Sequence, residues 1–136
     1  MKKIVLVNGV FDILHRGHME LFKYARSLGD VLYVAVDGDD RVKYIKGPCR
    51  PLNAVDDRVF LLESIRYIDK VFVFNSIEEL RELHRLISPD ILVKGSDWNE
   101  EAIRKSDGVM HKTKIIMFKR IEPYSTSSII EKSRKP

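Results

Sequence analysis

The stretch KIVLVNGVFDILHRGHMELFKYA, Lys3 to Ala25, decides the fold. Lys3 to Val7 is a short apolar run rich in β-branched residues, which predicts a buried parallel strand. Asn8-Gly9 ends the run with a turn signal. From Gly17 onward, Met19, Leu21, Phe22 and Ala25 recur at helical spacing. His15, Arg16, Gly17 and His18 therefore fall where a strand hands over to a helix N-terminus, with unpaired backbone N–H groups and a partial positive charge. Such a junction is an anion site. In open α/β sheets it lies at the carboxyl end of the strands, where ligands bind.

The same alternation continues through the chain. Strands are predicted at Val31 to Val36, Val71 to Phe74, Ile91 to Val93 and Lys114 to Phe118. Helices are predicted at Asp39 to Tyr44, at Ala54 to about Ile68 with Asn53 as cap, and from Ser76 to about Leu86 with Glu79 completing a capping box. A last helix runs from Thr126 to Lys132, with Ser125 as its cap. Strand-helix alternation predicts an α/β fold: a Rossmann-like three-layer sandwich on a five-stranded parallel sheet, formed by 1–136 as one domain.

Composition narrows the function classes. The net charge of +4 comes from dispersed Lys and Arg, which suits an anionic small molecule and gives no nucleic-acid signature. No apolar run has the length of a membrane span and the N-terminus lacks a secretory h-region, so a cytoplasmic protein without membrane insertion is expected. The single Cys49 excludes an internal disulfide. G-x-G-x-x-G is absent after the first strand, as is a Walker A loop, so phosphate binding falls to the histidine loop and scattered cations. Two imidazoles flanking Gly17 can both face one phosphate chain, and Gly17 permits its close approach. Ser125, Thr126 and Ser127 open the last helix, where hydroxyls and free N–H groups can hold phosphates together. His84 and His111 have no partner pattern, and no metal-ligand constellation is present.

The run Asn8 to Ala25 resembles the signature of the HxGH nucleotidylyltransferases, in the cytidylyltransferase-like branch. Four later segments resemble that branch in the same order: Lys46 to Asn53 (KGPCRPLN), Asp56 to Arg58, Leu92 to Trp98 (LVKGSDW) and Arg120 to Ile130. The resemblance spans nearly the whole chain. It implies transfer of a nucleotidyl group from ATP or CTP to a phosphorylated sugar or polyol, with release of pyrophosphate. Magnesium is expected to arrive largely on the nucleotide phosphates, and a homodimer is expected. His15, His18, Lys46, Ser125 and Thr126 are then the catalytic candidates. Asn8, Gly9, Phe11, Gly17, Gly95, Asp97, Trp98, Arg120 and Ser127 are expected at the nucleotide. Asp12, Lys43, Arg50, Asn53 and Arg58 are expected at the acceptor, with Asp12 alternatively orienting its loop or placing the metal. Arg16 is left to solvent, and Lys94 can add a cation.

Within the branch the markers divide. KGPCRPLN and the histidine run are more similar to the heptose 1-phosphate adenylyltransferases, whereas Asp97-Trp98 and Arg120 are more similar to the glycerol-3-phosphate cytidylyltransferases. ATP with a sugar 1-phosphate, giving an ADP-sugar, is the expected pair and CTP with glycerol 3-phosphate the alternative. Pro123-Tyr124 replaces a Gly-hydrophobic pair of the branch, and Ser127 stands where Thr is usual. A nucleotide-binding module without catalysis is the alternative from another class.

Overall fold

A computed structural model describes residues 1–95, 99–119 and 126–134, and of 126–128 the backbone only. Among these residues the strands are β1 (Ile4–Gly9), β2 (Val31–Asp37), β3 (Lys70–Phe74), β4 (Ile91–Gly95) and β5 (Lys114–Phe118). The helices are α1 (Arg16–Ser27), α2 (Asp39–Lys46), α3 (Val55–Glu63), α4 (Ile77–Ile87), α5 (Glu100–Asp107) and α6 (Thr126–Ser133). All pairings are parallel, in the order β3-β2-β1-β4-β5.

Because β1 lies between β2 and β4, its residues are covered on both faces, and Val5, Leu6 and Val7 are buried. Alternate side chains then feed two cores. Val5, Val7, Val34 and Val93 pack with Phe22 and Ala25 of α1 and Leu62 of α3. Leu6, Ala35, Leu92 and Ile115 pack with Leu80 of α4 and Ile103 of α5. Complete burial of a side chain such as Phe22 or Leu62 stabilises the fold by roughly 1.5–3 kcal/mol. The entry edge is tied by carboxylates: Asp90 accepts from Ile4 N and Asp69 from Leu32 N, both at 2.8 Å.

The outline matches the sequence expectation, with local corrections. Helix α3 stops at Glu63, short of Ile68, and its cap is Ala54, not Asn53. Ser76 does cap α4 by accepting from Glu79 N, but the Glu79 carboxylate reaches Asn75 N. Helix α5 was not foreseen, although Asn99 caps it through Ala102 N, Glu100 and Glu101 occupy its first turn, and Arg104 and Lys105 its last. Strands β1 and β4 each run two residues further, to Gly9 and Gly95. The chain leaves β1 to one side for β2 and returns on the other for β4, so a crevice opens at the carboxyl end of β1.

Candidate active site

The loop leaving β1 has an unusual backbone. Phe11 adopts φ 51, a left-handed conformation rare for a bulky residue. Its ring folds back over Gly9, where a Cβ would come within 2.9 Å of it. The ring also meets His18 edge-on at 5.5 Å and Phe22 at 5.2 Å. Phe11, expected at the nucleotide, packs against His18 and Phe22 and also lines the cleft described below.

His15 and His18 cap the helix that they begin. His15 is the N-cap residue, and its Nδ1 accepts from Gly17 N at 3.0 Å. His15 N donates back to His18 Nδ1 at 3.2 Å. This is a capping box in which two imidazoles replace the usual hydroxyl and carboxylate. Because each Nδ1 accepts a hydrogen bond, a neutral ring carries its proton on Nε2. The rings lie 3.8 Å apart between centroids and 30° from parallel. Helix capping, the plainest role for such histidines, thus sets the tautomer and places two N–H donors at the positive end of α1. Arg16 is exposed and pairs with Glu20 at 3.6 Å, a contact of little energetic weight.

The acceptor candidates divide on inspection. Asp12 is 1% exposed and accepts from Leu52 N, Asn53 N and Arg50 Nε at 2.8–3.0 Å. Burial raises its pKa, but the hydrogen bonds from Asn53, Leu52 and Arg50 outweigh that and hold the carboxyl below its usual range. Asn53 Nδ2 donates to Asp12 O, so both Asn53 and Arg50 serve to tie the β1–α1 loop to the segment before α3. Arg58 is fully buried, and its guanidinium donates to the carbonyls of Asn53, Val10 and Asp37 and to the Asp39 carboxylate. These residues tie the loop that leads from β1 to α1; the charges of Asp12 and Arg58, expected at the acceptor, are met by groups of the protein itself, which for Asp12 is the loop-orienting alternative. Lys43 and Lys46 are both exposed in the last turn of α2. Lys46 lines the cleft described next, and Lys43 does not.

A cleft of ≈ 310 Å³ lies at the carboxyl ends of the strands. Asn8 and Gly95 line it, with Phe74, Ile77 and Leu80 as its apolar wall. Its charged wall was missed in the sequence: Asp37, Arg41 and Asp107, beside the already suspected Lys94. Arg41 Nε stands 3.6 Å from Asp37 Oδ1, and Lys94 Nζ 3.7 Å from Asp107 Oδ2. Burial pushes the Asp37 pKa up, with Arg41, Lys94 and Arg58 opposing. Asn8 Oδ1 and Arg41 Nε are buried without a hydrogen-bond partner. Asp97, Trp98, Arg120 and Ser125 lie outside the described residues, while Thr126 and Ser127 form the start of α6 by their backbone. No group of three His, Cys, Asp or Glu is placed to hold a metal among the described residues. Nor is any described helix long and apolar enough to cross a membrane.

Comparison with known proteins bears on the whole of this framework. Residues 6–132 match the family model described as Cytidylyltransferase-like. The chain is 42% identical over 134 residues to the bifunctional protein HldE of Helicobacter pylori (strain J99 / ATCC 700824), covering 98% of this chain and 28% of that protein. It is 43% identical over 133 residues to the bifunctional protein HldE of Marinomonas sp. (strain MWYL1), covering 97% and 28% respectively. The chain therefore spans a little over a quarter of the length of these curated relatives. Among solved structures, the lipopolysaccharide core biosynthesis protein from Thermoplasma volcanium GSS1 superposes with a TM-score of 0.76 at 25% identity, over 90% of this chain and 100% of that one.

Proposed function

The chain belongs to the cytidylyltransferase-like family, and from that premise we propose that it transfers a nucleotidyl group from an NTP to a phosphorylated acceptor. The acceptor phosphate oxygen attacks the α-phosphorus in line, a P–O bond forms, and the bond to the bridging oxygen of pyrophosphate breaks. The phosphate monoester is already anionic at neutral pH, so no general base is required. Catalysis is then positioning and charge stabilisation. The nucleotide enters as its magnesium complex.

The observation that carries this reading is the histidine pair. Their Nδ1 atoms are engaged by backbone N–H groups, so their Nε2–H groups are the donors for phosphoryl oxygens. Lys46, on the cleft rim, adds a mobile positive charge for the departing or attacking phosphate. The start of α6 can serve the distal phosphates through its backbone N–H groups.

ATP with a heptose 1-phosphate is the substrate pair we favour. The sequence similarity of KGPCRPLN and of the histidine run supports it, as does the relation to HldE proteins at over 40% identity. The test is pyrophosphate release with Mg²⁺, crossing ATP and CTP against heptose 1-phosphate and glycerol 3-phosphate. Turnover with ATP and heptose 1-phosphate is the expected result. Turnover confined to CTP and glycerol 3-phosphate would move the chain to the other branch. NTP binding without pyrophosphate release from any pairing would overturn the transferase reading in favour of a binding module.

A further inference from the structure

We propose that Arg41 and Asp107, with their partners Asp37 and Lys94, form the pocket that recognises the hydroxyl groups of the acceptor and so sets acceptor specificity. The proposal rests on the transferase reading for the identity of the ligand, and its geometry adjoins the histidines through Phe11, which lines the cleft and meets His18. Asp37 ends β2 and Arg41 lies one turn into α2; Lys94 lies on β4 and Asp107 ends α5. All four line one cleft. The α1 and α3 helices pack on the opposite face of the sheet from α4 and α5. Phe74, Ile77 and Leu80 line the cleft from the α4 side, and Leu21 lines it from α1, the helix that the histidines begin. A two-part substrate spanning the β1 loop would place its nucleotide phosphates at α1 and its acceptor body here.

The chemistry of the wall selects among acceptor bodies. Two carboxylates accept and never donate, and two cations donate and never accept. The Asp37–Arg41 pair, at 3.6 Å, is longer than a hydrogen bond. Asn8 Oδ1 lacks a donor and Arg41 Nε lacks an acceptor, both buried at this wall. A hydroxyl supplies both functions at once, so a polyhydroxylated ring satisfies acceptors and donors alternately. A phosphate alone gains little here, because the two carboxylates offset the two cations, and a flat base has too few donors for two carboxylates and Asn8. A site built this way discriminates steeply against ligands that lack the hydroxyls.

The experiment is calorimetric titration of heptose 1-phosphate, glycerol 3-phosphate and, separately, Mg-ATP into the parent chain and two variants. Arg41→Gln is the decisive variant, because Arg41 Nε makes no hydrogen bond that the fold would lose. Asp107→Asn is the second, and melting temperatures are measured for both because Asp37 and Lys94 each lose an ion pair. Heptose 1-phosphate affinity is expected to fall by about tenfold or more in both, glycerol 3-phosphate affinity by less, and Mg-ATP affinity to stay within about twofold. Unchanged heptose 1-phosphate affinity in Arg41→Gln would overturn the proposal. So would a parent chain that does not bind heptose 1-phosphate, or a loss that falls equally on Mg-ATP. Absence of pyrophosphate release by the parent, with the selective binding loss intact, would instead remove the transferase reading and leave the pocket.

Discussion

Two polar clusters flank the β1–α1 loop, and they are built on opposite terms. Around Asp12 and Arg58, carboxylate and guanidinium are matched to backbone groups of the protein itself, at 2.7–3.0 Å. Around Asp37, Arg41, Lys94 and Asp107 the pairs are looser, and Asn8 Oδ1 and Arg41 Nε have no hydrogen-bond partner. A buried polar group without a partner costs about 1–3 kcal/mol. A fold tolerates that cost where a ligand removes it. The matched cluster holds the loop in place, and the looser one is where we place the acceptor.

The comparison breaks first at Arg58. Arg58→Leu should destabilise the chain by about 3–5 kcal/mol, because four partners lose their donor inside the protein. Urea unfolding measures it, and a loss below about 1 kcal/mol would show that the cluster is not a structural strut.

The next largest effect concerns the histidine box. His15→Asn keeps a good N-cap but has no group at the Nε2 position, so kcat should fall by about 10²–10³-fold while stability holds. His15→Ala should show the same kinetic loss with an added destabilisation of about 1 kcal/mol, from the missing cap. Equal kinetics for His15→Asn and the parent would reduce the histidine to a cap.

His84 sharpens the comparison on the unmatched side. It is fully buried on α4 and neither ring nitrogen has a hydrogen-bond partner. Burial lowers its pKa below the ordinary 6.5, with Asp107 opposing and Lys94 assisting. A base with a depressed folded pKa is neutral in the fold and takes up a proton first in the unfolded chain. Stability from this group is therefore present above pH 6.5 and falls as the pH drops from there towards the lowered value. The slope is at most about 1.4 kcal/mol per pH unit. His84→Leu should flatten that limb of a stability-pH profile relative to the parent; parallel profiles would show that His84 does not titrate on unfolding.

The smallest expected effect is the most diagnostic. Arg41→Gln should destabilise the chain by no more than about 1 kcal/mol, well below Arg58→Leu, since its pair with buried Asp37 is long at 3.6 Å and Gln keeps a side-chain donor. A melting temperature far below that of the parent would place Arg41 with Arg58 as part of the framework.

What could be read in advance follows from the range of the interactions. The five strands were legible because each is an apolar run rich in β-branched residues, and the place of the histidines at the start of α1 because the strand-to-helix change of period brackets them; their reciprocal capping was not read. Helix α5 was missed because only Ile103 and Asp107 of its eight residues are buried, leaving little apolar periodicity to find. Asn53 looked like a helix cap because Asn caps helices locally, yet a carbonyl 41 residues away claims its amide. Arg58 looked like a phosphate ligand because its type suits phosphate, and nothing nearby in the chain reveals the carbonyls of Val10 and Asp37.

The order of strands and helices, the turn after β1 and the histidines at the start of α1 follow from the chain alone, because propensity, periodicity and capping act over a few residues. Which charges build and which bind was decided only when β1, α2, α3, β4 and α5 came together. Burial and partner matching are properties of that assembly: the same guanidinium is a strut where carbonyls surround it, as at Arg58, and a ligand donor where they do not, as at Arg41.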